Sequence, residues 1–261
     1  MGDALGMCTA TLLADPMSAT DADVRMAGEA CVAAGLTEVS VWAHQLPALD
    51  GLGLHVAVVE AAMGWANGEP AAAAAEAKHL LGLAEAHGST KLVAVAMDPE
   101  VADLDHARRN LAALVDGAER IGVQVCVEFL PWSGIPDLAT AWALVEPLGP
   151  SAGILLDTWH WQRQPGGPCP DLLATIPAER IGYVQLCDAA AEPVGDLLTE
   201  AMTNRLLPGD GVVDIPAVLS QLRAMGADPF VATEIFNPAL VVELGAEGAA
   251  RAMADAALRM R

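Results

Sequence analysis

Four apolar runs of strand character each end on a residue that offers an oxygen to a metal. They read Val-Gln-Val-Cys-Val-Glu128, Gly-Ile-Leu-Leu-Asp157, Ile-Gly-Tyr-Val-Gln185 and Phe-Val-Ala-Thr-Glu234. A carboxylate closing a buried strand is costly to desolvate unless something compensates its charge. Three carboxylates and one neutral amide suit one hard divalent cation, Mg2+ or Mn2+, better than zinc, which favours imidazole and thiolate. The competing explanation is four unrelated strand-end polar groups, each capping the loop that follows. It accounts for any one of them but poorly for all four.

Further candidates cluster around these positions. His160 follows Asp157 by three residues, which places it in the loop above the cation, where it can hydrogen-bond a substrate oxygen or orient a ligand. Asp188 stands three residues after Gln185 and can anchor a neighbouring group or simply cap a turn. Arg205 precedes a Pro208-Gly209-Asp210-Gly211 turn and can pair with substrate oxygens or with a carboxylate. His44 falls at the end of the second strand, within reach of the site. Trp42, Trp65, Trp132, Trp159 and Trp161 all fall at or just after strand ends. Such indoles can wall off water and stack on a sugar face, Trp159 foremost, although packing under loops explains each one singly.

These residues need a scaffold that brings strand ends to one place. Strand patterns fall at 4–10, 37–43, 54–60, 91–97, 123–129, 152–157, 181–187 and 230–235. Helical patterns fall near 20–34, 71–87, 101–121, 136–148, 170–176, 214–225 and 241–259. Eight alternating strands and helices over 261 residues is the count of a single (β/α)8 TIM barrel, an α/β fold, spanning 1–261. The connection at 44–53 is short for a full helix. Strand parity fits a barrel: Val123, Val125 and Val127 share one face, and Gln124, Cys126 and Glu128 the other. That puts polar residues inward at the C-terminal strand ends, where active sites of this fold sit. A doubly wound open sheet would instead carry a Gly-rich phosphate turn after the first strand, and Met7-Cys8-Thr9-Ala10-Thr11 has none.

Composition narrows the function. Lys and Arg number 13 against 34 Asp and Glu, so the net charge of −21 repels polyanions and argues against a nucleic-acid partner. Only two lysines exist. Lys78 lies in a helical stretch and Lys91 begins a strand, at the opposite end of the barrel, so a Schiff-base mechanism has no candidate. Five widely spaced cysteines with no CxxC pair read as buried free thiols in a reducing cytoplasm. No apolar run reaches a membrane span, and the N-terminus lacks a signal-peptide pattern, so no membrane partner is expected.

The segments Val-Glu128-Phe-Leu-Pro, Leu-Asp157-Thr-Trp-His160, Tyr-Val-Gln185-Leu-Cys-Asp188, Arg205-Leu-Leu-Pro-Gly-Asp-Gly and Thr-Glu234-Ile-Phe-Asn resemble the xylose isomerase-like TIM barrels, a superfamily of sugar isomerases and epimerases that also holds endonuclease IV. The resemblance implies Glu128, Asp157, Gln185 and Glu234 as ligands of one Mn2+ or Mg2+, with Glu128 and Glu234 also moving protons. It admits a homo-oligomer. Many epimerases of the superfamily carry His where this chain has Gln185, and a Gln there looks more like hydroxypyruvate isomerases and 3-dehydroshikimate dehydratases.

The chemistry implied is proton abstraction next to a carbonyl, through an enediolate, on a small-molecule keto-sugar or hydroxy-keto acid. With a β-hydroxyl present, His160 or a glutamate could protonate it as it leaves. The reaction would then be a dehydration of the 3-dehydroshikimate or keto-inositol type. Phosphorylated substrates fit less well, because the loop 188–205 is acidic and holds Arg205 as its only basic residue. An endonuclease fits poorly with six histidines and this net charge. A non-catalytic ligand-binding barrel is the remaining alternative.

Overall fold

Eight parallel strands close on themselves in chain order in the computed structural model, which describes residues 4–261. They are β1 (Gly6–Cys8), β2 (Glu38–Trp42), β3 (His55–Ala62), β4 (Lys91–Val95), β5 (Gln124–Glu128), β6 (Ala152–Asp157), β7 (Ile181–Leu186) and β8 (Phe230–Thr233). Pairing of β8 with β1 completes the ring. The protein is a single (β/α)8 barrel, with every strand where the apolar runs place one.

The helices are α1 (Asp21–Ala33), α2 (Pro70–His87), α3 (Leu104–Glu119), α4 (Leu138–Val145), α5 (Thr158–Arg163), α6 (Pro170–Leu173), α7 (Leu197–Thr203), α8 (Ile215–Met225) and α9 (Pro238–Met260). Acidic and amide caps start most of them. Thr20 and Asp23 form a reciprocal capping box on α1, and Asp103, Asp137, Asp196, Asp214 and Asn237 cap α3, α4, α7, α8 and α9. A side-chain oxygen there takes up amide protons that have no partner within the helix. The short connection between β2 and β3 is a 3-10 segment, Ala43–Leu49, in place of a full helix. Two helices fall outside the periodic segments, α5 and α7, at six and seven residues. Fewer than two turns give no readable 3.6-residue pattern. α9 is broken at Gly245, whose φ of 69° lies in the left-handed region.

Two apolar layers hold the barrel. Val125, Val127, Ile154 and Leu156 face outward into a core shared with the helices, while Cys126, Leu155, Tyr183, Val93 and Ala232 fill the interior. The alternation of β5 and β6 is therefore as their sequence reads. β3 carries an irregularity: its register against β2 shifts between Val39 and Ser40, and both Ala57 and Val58 belong to the interior cluster. At the floor of the barrel Lys91 Nζ donates to Gln124 Oε1 at 2.8 Å, far from the strand ends that carry the carboxylates. No helix among the described residues is long and apolar enough to cross a membrane.

Candidate active site

Strand register sets Asp157 and Gln185 side by side, with Glu128 and Glu234 on the flanking strands at the same end of the barrel, each staggered by two residues. Glu128 pairs laterally with Leu155, and Asp157 with Gln185. The Glu234 amide donates to the Leu186 carbonyl at 3.2 Å, so the β7–β8 ladder runs one residue beyond β8. Asp157, Gln185 and Glu234 are buried, and the Glu128 side chain is 12% exposed.

Arg205 sits among them. Its Nη1 donates to Asp157 Oδ2 at 2.7 Å and to Glu234 Oε2 at 3.0 Å, and its Nε to the Ala201 carbonyl at 2.7 Å. The guanidinium lies over the rings of Trp159 and Phe236, 5.8 and 5.4 Å from their centroids. Gln185 Nε2 donates to Glu234 Oε1 at 2.8 Å. Glu128 joins through His160, whose Nε2 is 3.2 Å from Glu128 Oε1. Asp157 also caps α5, its Oδ1 accepting from the His160 amide at 2.8 Å. One carboxylate thus caps a helix and binds the cation Arg205. Ligand atoms of Glu128, Asp157 and His160 all lie within 4.8 Å of one another.

The electrostatics follow from one cation shared among several carboxyls. Burial pushes the Asp157 carboxyl up, but Arg205 and His160, with the hydrogen bonds from the His160 amide and Cys187, outweigh it and hold Asp157 below the usual aspartate range. Glu234 goes the other way. Burial drives it well above the ordinary glutamate value, and Glu60, Glu128 and Asp157 add repulsion that Arg205 does not cancel. Burial opposes the charge on Arg205, yet its acidic neighbours raise its pKa further.

Four buried atoms of this group have no partner in the protein, Gln185 Oε1, His160 Nδ1 and the indole nitrogens of Trp132 and Trp159. An acceptor buried without a donor costs free energy unless a cation or a solvent molecule meets it. Two groups of side chains are close enough to hold an ion, Glu128 with Asp157 and His160, and Cys8 with Glu60 and Glu234, and their carboxylate oxygens, with the unpartnered Gln185 amide oxygen, are donors that suit a divalent cation.

The other expected residues are placed as follows. Asp188 is fully buried and its two oxygens accept from the amides of Ala189, Gly209, Gly211 and Val213 at 2.8–3.1 Å. It organises the turn that follows Arg205. A Cβ at Gly211 would collide with the Ala189 carbonyl oxygen and the Asp188 carboxylate, so only glycine fits there. Trp159 is fully buried, edge-on to His160 at 5.3 Å and beneath Arg205. His44 is exposed beside Trp42, 5.9 Å between ring centroids. Trp132 completes an aromatic wall at 5.3 Å from the His160 ring.

One carboxylate stands in the site that the four strand-end runs leave out. Glu60, on β3, is buried at the same end of the barrel, with Cys8 Sγ 3.9 Å and the Tyr183 and Gln185 donors 3.4 Å from its oxygens. Burial, then repulsion from Glu128, raises its pKa to about 7. Its signal was available, since His-Val-Ala-Val-Val-Glu60 has the form of the other four runs.

Comparison with known proteins bears on the fold and the family. An inosose isomerase of Bacillus subtilis is 29% identical over 131 residues, 49% of this chain and 45% of that protein. A 3-dehydroshikimate dehydratase of Pseudomonas putida is 29% identical over 130 residues, 49% of this chain and 20% of that protein. The matched stretch thus spans less than half the length of either relative. Among solved structures, the IOLI protein with a bound zinc atom superposes with a TM-score of 0.81 at 20% identity, covering 98% of this chain and 97% of that one. A D-allulose 3-epimerase from Methylomonas sp. in complex with D-allulose superposes at 0.74 and 16% identity, covering 99% and 97%. At these identities the structural likeness speaks for the fold. The sequence profile of the xylose isomerase-like TIM barrel family matches residues 3–260, and the chain belongs to that family.

Proposed function

We propose that the chain is a divalent-metal-dependent isomerase or epimerase that moves a proton next to a carbonyl of a non-phosphorylated, uncharged keto-polyol. The observation that carries this reading is the placing of two glutamates, Glu128 on β5 and Glu234 after β8, with Asp157 and Gln185 on the strands between them. Two carboxyls on separate strands at one barrel mouth can serve opposite faces of a substrate. A Mn2+ or Mg2+ held by Glu128, Asp157, Gln185 and Glu234 would supply Lewis acidity at the substrate oxygens. One glutamate takes the α-proton, and the other returns a proton to the opposite face or to the neighbouring carbon. His160 steadies Glu128 through the 3.2 Å contact and can relay its proton. Trp159 and Phe236 flank Arg205 and keep water from the ion pair.

Charge bears on the substrate. Arg205 is committed to Asp157 and Glu234, and Arg163 to Glu200 at 2.6 Å and to the Ala190 carbonyl at 2.7 Å. Neither offers an uncommitted charge to a substrate carboxylate or phosphate, which favours a neutral polyol over a hydroxy-keto acid.

The test is the metal content of the purified protein together with proton NMR in D2O on ketohexoses, hydroxypyruvate, keto-inositol and 3-dehydroshikimate. About one Mn2+ or Mg2+ per chain and deuterium entering one carbon of a neutral ketone is the expected result. A protein with no bound or restorable metal would defeat the reading. Loss of water in place of exchange would favour the second reading, a dehydratase. The buried His160 beside Glu128 supports it as an acid for a departing hydroxyl, as does the likeness to a 3-dehydroshikimate dehydratase.

A further inference from the structure

A carboxamide ligand poses a problem that a carboxylate or imidazole does not. Its oxygen and nitrogen ends have the same shape, but only the oxygen can meet a cation, and its two N–H groups must then find acceptors inside the barrel. Gln185 is 1% exposed, its Nε2 is satisfied and its Oε1 has no partner. Nε2 donates to Glu234 Oε1 at 2.8 Å and also lies 3.4 Å from both Glu60 Oε1 and the Tyr183 hydroxyl. Tyr183 in turn lies 3.0 Å from Ser40 Oγ and 3.4 Å from Glu60 Oε1. Glu60 therefore stands where three interior donors converge, Tyr183 and Gln185 from β7 and Cys8 from β1. If Glu234 turns toward a cation, Glu60 is the remaining carboxylate within reach of the Gln185 amide nitrogen.

We propose that Glu60 is a positioning residue that fixes the Gln185 side chain with its nitrogen toward the β3 side and its oxygen toward the cation. The role rests on the cation reading above. It assigns the buried β3 carboxylate a purpose that requires no contact with substrate. It also accounts for a Gln at position 185: an amide works there when an acceptor holds its other end, much as a metal-bound imidazole is held through its second nitrogen.

The test is Mn2+ affinity, by titration calorimetry and by the free-Mn2+ electron paramagnetic resonance signal, in the full chain and in Glu60→Leu, Glu60→Gln, Gln185→Ala and Glu60→Leu/Gln185→Ala. Outer-sphere partners of metal ligands are worth about 10–100-fold in affinity. Glu60→Leu is expected to weaken Mn2+ binding by about that range, and Glu60→Gln, which keeps an oxygen acceptor but loses the charge, by under about 5-fold. The double variant is expected to bind no more weakly than Gln185→Ala alone, because Glu60 acts through Gln185. Losses that multiply in the double variant, or a Glu60→Gln loss equal to that of Glu60→Leu, would show an effect of charge and overturn the positioning role. Unchanged affinity in Glu60→Leu would overturn it as well. An unmodified chain that binds no Mn2+ would remove the cation reading and this role together, whereas the other failures leave that reading intact.

Discussion

Replacing Arg205 with leucine is the most direct probe of the buried charge cluster. The guanidinium is 3% exposed, and one nitrogen serves Asp157 at 2.7 Å and Glu234 at 3.0 Å. Taking one partner from a buried ion pair leaves an uncompensated charge and costs about 3–5 kcal/mol. Leucine keeps some of the packing against Trp159 and Phe236, so the electrostatic part should dominate. At about 2–4 °C per kcal/mol for a chain of this size, the melting temperature in EDTA should fall by roughly 6–20 °C. Added Mn2+ brings positive charge to the same carboxylates, and the loss should shrink to about 1–2 kcal/mol, the worth of the Ala201 hydrogen bond and residual packing. Urea unfolding of both proteins in EDTA and in Mn2+ measures all four quantities. An equal loss in the two media would mean that Arg205 and the metal do not share ligands. No loss in EDTA would mean that the ion pair contributes nothing to the fold.

Other substitutions test separate parts of the site. Glu234→Gln should abolish solvent-proton exchange into substrate while leaving the folded structure unchanged by circular dichroism; exchange at a rate near that of the unmodified chain would remove Glu234 from the proton path. Glu60 has a raised folded-state pKa of about 7, so its contribution to stability is full below about pH 4.5 and is lost as pH rises through 7. Glu60 alone should therefore account for a loss on the order of 3 kcal/mol in the metal-free protein between pH 4.5 and 7, beside a loss of the same sign from Glu234, and Glu60→Gln should reduce the slope in urea titrations by that amount. Asp188→Ala removes the acceptor of four backbone amides and should cost about 2–4 kcal/mol. Binding of Mn2+ at pH 7 should release roughly one to two protons, from Glu234 and Glu60, seen as a buffer-dependent heat in calorimetry.

The strands were legible as short apolar runs, several of them closed by a polar residue, and the barrel was legible because eight such runs alternate with helical stretches. The helices α5 and α7 were not, since six or seven residues carry too little periodicity. Arg205 was visible as a cation near a turn, but its partner Asp157 lies 48 residues away, and nothing local joins them. Asp188 read equally well as a site residue or a cap, and only the four amides that meet its oxygens distinguish the two. Glu60 closes the expected strand at 54–60 as the other four residues close theirs, so it was legible and overlooked, although β3 itself continues to Ala62.

The charge at the mouth explains why the four runs carried so much information. Glu60, Glu128, Asp157 and Glu234 converge there, and Arg205 is committed to only two of them. Without another cation, the protein keeps Asp157 ionised against Arg205 and drives Glu60 and Glu234 toward their protonated forms. In the proposed site, protons and a divalent ion would be alternative ways of compensating the same buried carboxyls, which leaves carboxyls able to take up and give back a proton. A cluster evolved only for stability would gain from apolar side chains of similar volume at these positions. Keeping four acids at one barrel mouth sacrifices stability, and in the proposed reaction the proton transfers of Glu128 and Glu234 are what that sacrifice would support.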